Sequence, residues 1–501
     1  PDGGERYLST TLFEDRKKSN LKFFNTLTRR KEDFIPLREN AVGMYSCGPT
    51  LHELIHLGTC RRIVCADLIR RYLEFKGFEV THIMNITDID DKTIRDSQPG
   101  SAAWKADVMG AQTADPHENL RRLTRYYEQV FLHDIAAIGI RREDLFAMPR
   151  ATEYIPAMME LIERIWRNGY AYVAGGSVYF DLSAWIREHP YGLLFAVDLE
   201  HFVSGARIDA DQYEREEVSD FVLWKARKEG EPWWDLVLGD QVLPGRPGWH
   251  IECSAMGHEL LGLPFDIHTG GVDLRFPHHE DEIAQSAAGY GCSTARFWVH
   301  NEFLEVEGQK MSKSLGNFYT LADLLERGLD PLDVRYAMLG AHYQSVYNFT
   351  FDGVAAARRA RRRVQEYIYQ LQEQSGRRSC DVEKLRQQVF AELADNLHTP
   401  KALAALFTFI GEHPAVELEP SAQRALLEFF EQLNSIVGVW EIAPRPLVVV
   451  PERVRQLAQE RWEARLQRDF ARADQLRQQI AQEGFAVRDR SDGYDLVPVE
   501  E

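Results

Sequence analysis

The spacing of apolar residues predicts a strand, a helix and a second strand near the start of the chain. Segment 42–50 opens as a short apolar strand and ends in Cys-Gly-Pro-Thr, and segment 55–78 has helical apolar spacing up to Gly77. Segment 79–94 then begins as another strand. A strand, a helix and a strand within about 45 residues form a βαβ unit, so we expect a parallel sheet.

The same patterns divide the rest of the chain. Residues 115–170 have helical spacing, and strand character returns at 175–183, 265–271 and 297–308. We therefore expect the parallel sheet to be interrupted by an insertion and then resumed. From Asp352 onward the segments are helical with short connections, which predicts an α-helical bundle.

Composition and charge narrow the class of protein. A chain of 501 residues exceeds one compact core, so about two to four domains are expected. The hydrophobic share of 44% is that of a globular protein, and the net charge of −18 argues against nonspecific binding of nucleic acid. No apolar run reaches the roughly 18 residues of a membrane span, and residues 1–20 lack the apolar core of a signal peptide. We expect a soluble, cytoplasmic protein.

The sequence GQKMSKSLGN, residues 308–317, is the most specific motif of the chain. It follows a predicted strand and is flanked by glycines, which predicts a loop. Lys310 and Lys313 are three residues apart, and two ammonium groups at that spacing can hold a polyphosphate. A solvated basic turn is the alternative, and it is the usual meaning of an isolated pair of this kind.

A second candidate phosphate site is IHLGT, residues 55–59, at the predicted start of a helix. The free backbone N–H groups and the helix dipole at such a position favour phosphate. His56 and Thr59 are three residues apart and share one face of the helix. A helix cap or a surface histidine is the alternative interpretation of His56.

The sequence GGVDLRFPHHEDEIAQ, residues 270–285, places two imidazoles and three carboxylates within five positions. His278 and Glu282 are four residues apart, and Cys47 at a strand end and Cys253 on a helix could meet them. Together they form a plausible zinc shell of two sulfurs, one nitrogen and one oxygen. The chain has no CxxC pair, so a solvated, charged helix start stays open as the alternative.

Taken together, these motifs resemble the class I aminoacyl-tRNA synthetases, which carry a HIGH tetrapeptide early and KMSKS late. The order and spacing of MYSCGPT, HLGT, NITDIDDK, GRPGWHIECSAM and KMSKSLGN are similar to those of the cysteinyl-tRNA synthetase family. The resemblance runs from about Leu21 to about residue 440 and is loose in the tail. It implies ATP-dependent ligation of L-cysteine to the 3′ end of tRNA-Cys through a cysteinyl-adenylate, with Mg²⁺ accompanying ATP.

The resemblance also implies a role for each matching residue. Cys47, Cys253, His278 and Glu282 match the zinc ligands of the family. A soft metal bound there would select cysteine, because a hydrophobic pocket rejects a near-isostere such as serine by no more than about 10²-fold. The implied catalytic residues are His56, Thr59, Lys310 and Lys313. The implied ATP-binding residues are His56, Gly58, Gly270, Gly271, Asp273 and Lys313. The implied substrate-binding residues are Thr87, Trp249, His250, His268 and His279.

Each of these residues also has an interpretation without a function. Trp249 can be a core aromatic, each histidine can be structural, and the two glycines before Asp273 can form a tight turn. Two departures from the family pattern matter more. Thr59 replaces the last histidine of the HIGH motif, and a hydroxyl adds no positive charge. We therefore expect the adenylation barrier to rise by about 1–3 kcal/mol unless another group compensates.

The second departure is the acidic tail, residues 488–501, where the family is typically basic. Because phosphate contacts supply much of the affinity for RNA, we expect few RNA contacts from this tail. The basic stripe at 357–365 is a better candidate for contact with the tRNA backbone, although a solvated helix face is an equally good interpretation.

The expected fold class is α/β, with a Rossmann-like parallel-sheet catalytic domain that carries an insertion, an α-helical bundle and a small C-terminal domain. The expected segments are the first half of the catalytic domain at 21–150, an inserted connective domain at 151–240, the second catalytic half with the KMSKS loop at 241–320, a linking stem-contact region at 321–355, an anticodon-binding helical bundle at 356–445 and a C-terminal domain at 451–501. The Pro-rich segment 442–452 predicts a linker before the last of these.

Two other functions stay open from the sequence. One is a zinc-dependent cysteine ligase that acts on a small-molecule amine, as in mycothiol synthesis, but that relative lacks the helical and tail domains expected here. The other is a paralogue that binds cysteine or RNA with weak or no tRNA charging, which Thr59 and the acidic tail suggest. The expected partners are tRNA-Cys, L-cysteine and ATP, with no obligate protein partner and no membrane.

Overall fold

A computed structural model of the chain describes residues 21–195, 207–208, 220–312, 315–373, 375–446, 450–490 and 493–498. Contacts divide the chain after Glu441 into two compact units, which are described separately. No described helix combines the length and the apolar character that crossing a membrane requires.

The chain starts with a hairpin and the predicted βαβ unit. The elements of this part are β1 Lys22–Asn25, β2 Arg30–Asp33, β3 Ala41–Ser46, α1 Leu57–Phe75, β4 Glu79–Met84, α2 Asp91–Ser97, α3 Ala106–Met109 and α4 Pro116–Ala137. The strands β3 and β4 pair in parallel, and α1 connects them. The interior face of α1 carries the periodic apolar residues that predicted it, among them the fully buried Leu57, Ile63 and Leu73.

A separate sheet follows, as the predicted interruption requires. Its elements are α5 Ile155–Arg167, β5 Ala171–Ala174, β6 Ser177–Phe180, α6 Leu182–Trp185, β7 Arg207–Ile208, β8 Asp220–Ala226, β9 Trp234–Leu238 and β10 Gln241–Pro247. The strand order is β5-β6-β8-β10-β9, and β7 pairs with β8. All pairings are antiparallel except the last one.

The chain then returns to the first sheet. The elements here are α7 His250–Leu261, β11 Phe265–Gly271, α8 Glu280–Tyr290, β12 Ala295–Asn301, β13 Leu304–Val306, β14 Gln309–Lys310, α9 Leu321–Glu326, α10 Pro331–Leu339 and β15 Tyr347–Phe349. The central sheet has the order β12-β11-β3-β4 with every pair parallel, which confirms the predicted α/β class. All four strands therefore end at the same edge, where α/β proteins bind ligands.

Helices make up most of the remainder. The elements are α11 Phe351–Glu373, α12 Val382–Ala394, α13 Thr399–Glu412 and α14 Pro420–Val437 in the first unit, and α15 Glu452–Leu466, α16 Phe470–Gln482, β16 Phe485–Asp489 and β17 Tyr494–Pro498 in the second. Short helical turns lie at Arg142–Asp144, Ala151–Tyr154, Val272–Leu274, Arg275–His279 and Ala415–Glu417. The second unit has its own small core, in which Val454, Ile480 and Val487 are buried.

A buried ion pair ties the helical part of the first unit to α1. Asp67 lies on α1, and one of its oxygens accepts a hydrogen bond from Arg335 Nη2 on α10 at 2.6 Å. Arg335 is fully buried and also donates to the carbonyl oxygens of Val437 and Ile138. Burial alone would raise the pKa of Asp67, but the surrounding guanidinium groups hold the pKa below its usual range. Asp67 also pairs with Arg70 and Arg71, whereas Arg335 pairs with Asp67. Removing Asp67 would therefore leave the buried Arg335 charge without its carboxylate, which costs about 3–5 kcal/mol.

Candidate active site and metal centre

The predicted site residues collect at the carboxyl edge of the central sheet. Cys47 directly follows β3, and Gly270 and Gly271 end β11. Cys253 lies on the first turn of α7, and Glu282 lies on the first turn of α8. The parallel sheet brings these segments together although they are about 200 residues apart in sequence.

Cys47, Cys253, His278 and Glu282 form one buried group whose donor atoms all lie within 4.8 Å of one another. The Cys47 Sγ atom lies 3.8 Å from Cys253 Sγ, which is 3.5 Å from His278 Nε2. His278 Nε2 lies 3.0 Å from Glu282 Oε1. His278 precedes α8 rather than lying on it, yet the turn still places its imidazole against Glu282. We call these four residues the metal group, because together they could hold a metal ion.

The electrostatics of the group fit a bound cation. Burial raises the pKa of both the Cys47 and the Cys253 thiol. Burial would also raise the pKa of Glu282, but the His268 and His278 imidazoles more than offset it and lower the pKa to about 2. A divalent cation would favour both thiolates, because it offsets the burial that opposes their charge. The donor set is therefore chemically suited to a soft divalent metal.

A second set of donors overlaps the first and consists of Cys47, His268, His279 and Glu282. Neighbouring imidazoles also form hydrogen bonds that orient the side chains of the metal group. His268 Nε2 lies 2.8 Å from Glu282 Oε2, the carboxylate oxygen that faces away from His278. His250 Nδ1 lies 3.0 Å from His278 Nδ1, the ring nitrogen that faces away from Cys253. Metal ligands in proteins commonly have such second partners, which orient them.

Aromatic rings cover the group. The Trp249 ring stacks on the His278 ring, with centroids 4.1 Å apart and planes 18° apart. The His268 ring stacks on Trp298 at 4.4 Å. The predicted substrate residues Trp249, His250 and His268 thus all contact the metal group directly or through one ring.

Thr87 belongs to a buried polar chain between the two cysteine segments. Its hydroxyl donates to Glu252 Oε2 at 2.7 Å, and Glu252 is the neighbour of Cys253. Asn85 Nδ2 lies 3.4 Å from the Thr87 hydroxyl, and Asn85 Oδ1 accepts from the backbone N–H of Gly48 at 2.9 Å. The chain therefore fixes the residues next to Cys47 and Cys253 against each other.

An open cleft of about 200 Å³ lies at the start of α1. Its lining residues are His56, Gly58, Thr59, Arg62, Gly271, Asp273, Asn301, Glu302, Phe303, Leu304, Lys310 and Met311. His56 caps the helix, and its Nδ1 accepts from the Thr59 N–H at 3.3 Å. The Thr59 hydroxyl lies 3.3 Å from His56 Nε2. The cleft thus combines most of the predicted phosphate-binding residues at a helix N-terminus.

The glycines near the cleft are required for space. A Cβ on Gly58 would lie 2.9 Å from the His56 ring, and one on Gly271 would lie 2.2 Å from Asp273 Oδ1. A Cβ on Gly270 would lie 2.5 Å from the ring of His279. That ring is itself fixed, since His279 Nε2 lies 3.2 Å from Cys47 Sγ. Neither Gly270 nor Gly271 has a positive φ, so the close approach of side chains explains both of them.

The KMSKS segment begins at the end of a strand, and a turn lies at residues 315–316. Lys310 ends β14, is exposed and lines the cleft. Asn317 holds the turn, because its Oδ1 accepts from the Ser312 N–H at 2.8 Å and its Nδ2 donates to the Lys310 carbonyl at 3.2 Å. Lys313, the main predicted phosphate contact, lies outside the described residues.

Sequence reasoning missed three residues of the site. Glu252 and Asn85 belong to the polar chain, and Arg62 lines the cleft. Two of them had a signal in the sequence, since Glu252 adjoins Cys253 and Arg62 is three residues beyond Thr59 on the same helix. Asn85 had no such signal, because its role depends on a contact with Gly48.

The chain is similar to known proteins over most of its length. Residues 33–359 match the family described as tRNA synthetases class I (C) catalytic domain. The cysteine–tRNA ligase of Solibacter usitatus is 39% identical over 483 residues, which cover 94% of this chain and 98% of that protein. The cysteine–tRNA ligase of Leptospira interrogans is 38% identical over 488 residues, which cover 94% of this chain and 98% of that protein.

Among solved structures, the chain is similar to Mycobacterium tuberculosis methionyl-tRNA synthetase in complex with methionyl-adenylate. The TM-score is 0.54 at 14% identity, over 80% of this chain and 90% of that one. This likeness shows a shared fold. The catalytic-domain match and the full-length relatives go further, and they show that the chain belongs to the cysteine–tRNA ligase family of class I aminoacyl-tRNA synthetases.

Proposed function

We propose that the protein ligates L-cysteine to the 3′ end of tRNA-Cys in two steps. The cysteine carboxylate attacks the α-phosphorus of ATP, which forms cysteinyl-adenylate and releases pyrophosphate. A hydroxyl of the terminal adenosine of tRNA then attacks the carbonyl carbon and releases AMP. The observation that carries the proposal is the buried group of Cys47, Cys253, His278 and Glu282 beside a cleft that contains a helix N-terminus.

We assign zinc to the buried group. Zn–S bonds of about 2.3 Å and Zn–N or Zn–O bonds of about 2.0–2.2 Å in a tetrahedron require donor separations of about 3.3–3.8 Å. The separations of 3.8 Å between the two sulfurs and 3.5 Å between Cys253 Sγ and His278 Nε2 fall in this range and support the assignment. The separation of 3.0 Å between His278 Nε2 and Glu282 Oε1 is shorter than the range, so a bound ion would move these two groups slightly apart. Bound by these four side chains, zinc would supply a soft ligand position that accepts a thiolate far better than a hydroxyl.

The protein groups around the metal centre orient the amino acid. Trp249 packs over His278 and would cover the bound side chain. The Thr87 hydroxyl, fixed by Glu252, would hold the polar end of the substrate. His250, His268 and His279 hold the ligands and exclude water, since all three are buried.

The cleft would bind ATP with Mg²⁺. His56, Thr59 and the backbone at Gly58 lie at the start of α1, where phosphate is favoured. Lys310 and Lys313 would hold the triphosphate, and Asp273 with the backbone of Gly270 and Gly271 would receive the adenosine. Positioning and charge stabilisation would supply the rate, because the reaction needs no covalent intermediate on the protein.

We assign contact with the tRNA backbone to part of the stripe 357–365 on α11. Arg361 does not contribute, because its guanidinium pairs with Asp330 and Asp333 within the protein. Arg359 and Arg363 are exposed and keep their charge at the surface. Replacing Arg359 should weaken tRNA binding and reduce its salt dependence, without changing ATP–pyrophosphate exchange.

The test is ATP–pyrophosphate exchange with purified protein, in the presence of cysteine or serine, together with charging of tRNA-Cys. We expect cysteine to support exchange more than about 10³-fold better than serine, which exceeds the roughly 10²-fold limit of a hydrophobic pocket. Absence of cysteine-dependent exchange would overturn the proposal. Transfer of cysteine to a glucosamine-inositol acceptor instead of tRNA would favour the small-amine ligase.

A further inference from the structure

The cleft has a gap in its positive charge. Thr59 occupies the position where the HIGH motif resembled by this chain ends in histidine, and its hydroxyl is neutral. Within the described part of the chain, that hydroxyl has one hydrogen-bond partner, His56 Nε2 at 3.3 Å. A triphosphate bound at this helix start would need another fixed cation.

Arg62 is placed to fill this gap. It lies three residues beyond Thr59 on α1, so both project from one face of the helix, and both line the cleft. Arg62 Nη2 donates to the carbonyl oxygen of Gly48 at 3.2 Å, which fixes the guanidinium against the segment that follows Cys47. Arg62 Nε is buried and has no hydrogen-bond partner among the described residues.

The neighbouring arginine cannot serve instead. Arg61 is almost fully buried, and its guanidinium donates to the carbonyl oxygens of Phe303, His342 and Ser345. Those bonds attach α1 to the segments that follow β12 and α10, and they use the donors of Arg61 for structure. Of two adjacent arginines, therefore, one anchors the helix and the other faces the cleft.

Lys310 also lines the cleft, but its side chain is held less rigidly than that of Arg62. Lys310 is exposed at the end of β14, so its ammonium must lose water and conformational freedom when it binds a ligand. Arg62 is half-buried on a long helix and presents several donors in one plane. A cation that is positioned before the ligand binds stabilises developing charge with little reorganisation.

We propose that Arg62 is a catalytic residue of the adenylation step, whose guanidinium binds a phosphate oxygen of ATP and supplies the positive charge that Thr59 lacks. The inference rests on the proposed function. No proton is transferred by Arg62; it binds the triphosphate as cysteine attacks the α-phosphorus and stabilises the charge of the departing pyrophosphate. The slower adenylation expected from Thr59 alone is then offset within the same helix face.

The test is a double-mutant cycle on the full chain, measured by cysteine-dependent ATP–pyrophosphate exchange. Arg62→Gln should lower kcat/KM for ATP by about 10²-fold, the usual effect of removing one group that stabilises the transition state. Thr59→His, which restores the family residue, should recover at least about tenfold of that loss in the Arg62→Gln background. Additive effects of the two substitutions would overturn the inference.

Two controls separate this role from a structural one. Arg164→Gln removes an arginine that pairs with Glu160 on the surface of α5, and it should leave exchange unchanged. If Arg62 served only to hold Gly48 and Cys47, Arg62→Gln would reduce zinc content and cysteine affinity rather than ATP use, and Thr59→His would not rescue it; that result would overturn the inference. An inactive wild-type protein would overturn the proposed function instead.

Discussion

The metal group and the cleft lie side by side but are built in opposite ways. The four metal-group residues are at most 5% exposed, and each has a polar partner within the protein. The cleft residues His56 and Thr59 are half-buried and Lys310 is exposed. Under the proposed function, selection of the amino acid would depend on groups that are packed before the substrate arrives. Stabilisation of the triphosphate would depend largely on groups that stay hydrated until ATP binds.

The largest effect should come from replacing a residue of the buried metal group. Cys253→Ser replaces a soft ligand with a poor one, so zinc content should fall from one per chain towards zero. Cysteine-dependent exchange should fall by at least about 10³-fold, because the binding energy of the metal is lost with it. Metal analysis and exchange assays measure both. Cys380→Ser, a half-buried thiol in the helical part, is the matched control and should change neither.

The next largest effect should come from removing a positive charge from the open cleft. Lys310→Ala should lower kcat for exchange by about 10²-fold, since one cation beside the triphosphate is removed. Zinc content should stay at one per chain, because Lys310 has no contact with the metal group. Lys401→Ala, which removes an exposed lysine paired with Glu392, serves as the control. A loss of zinc in Lys310→Ala would mean that the two regions are not independent.

His82, a buried histidine on β4 outside the metal group, should make the fold sensitive to acid. Burial lowers the pKa of His82 to about 3, against about 6.5 in an unfolded chain. Below pH 6.5 the unfolded chain therefore takes up a proton that the folded chain excludes, and the free energy of unfolding falls. Between pH 7.5 and 5.0 the loss should be about 2 kcal/mol.

Urea unfolding at the two pH values measures this loss. His82 Nε2 lies 2.8 Å from the Ser46 hydroxyl, and His82→Gln keeps a polar group there that does not titrate. The variant should show a smaller difference between the two pH values than the wild type. Equal differences in both proteins would contradict the assignment to His82.

The smallest effect should come from the turn that carries Lys310. Asn317→Ala removes one partly buried hydrogen bond, from Ser312, and one exposed hydrogen bond, to Lys310, which together contribute about 1 kcal/mol. The KM for ATP should rise about fivefold, with zinc content unchanged. Asn317→Asp keeps the acceptor for Ser312, so its KM for ATP should lie between those of the wild type and of Asn317→Ala. A variant as active as the wild type would show that this turn needs no fixed shape before ATP binds.

Sequence patterns predicted where the helices and strands lie better than they predicted which elements pack against each other. The βαβ unit around α1 and the helical bundle follow from local periodicity, and a helix that starts at Leu57 after His56 agrees with the cap that the structure has there. The sheet order β12-β11-β3-β4 joins segments about 200 residues apart, and periodicity carries no information on such pairing.

The same difference holds in the site, where single residues were predicted better than the contacts between them. The resemblance identified Cys47, Cys253, His278 and Glu282, and the structure brings all four together. It did not identify Glu252 or Arg62, although each lies close in sequence to an identified residue. Their contacts with Thr87 and Gly48 are visible only in the folded chain. For Gly270 and Gly271, sequence reasoning considered a tight turn, whereas the packing of neighbouring side chains is what excludes a Cβ.

The ion pair between Asp67 and Arg335 limits how far this protein can be shortened. The guanidinium of Arg335 uses a carbonyl at the very end of α14, some hundred residues later in the chain. A fragment cut before α11 would keep Arg335 with its partners Asp67 and Ile138 but lose the Val437 acceptor, so one donor of a buried guanidinium would have no partner. We therefore expect such a fragment to be less stable than the whole chain, and a replacement of Arg335 to recover part of that loss.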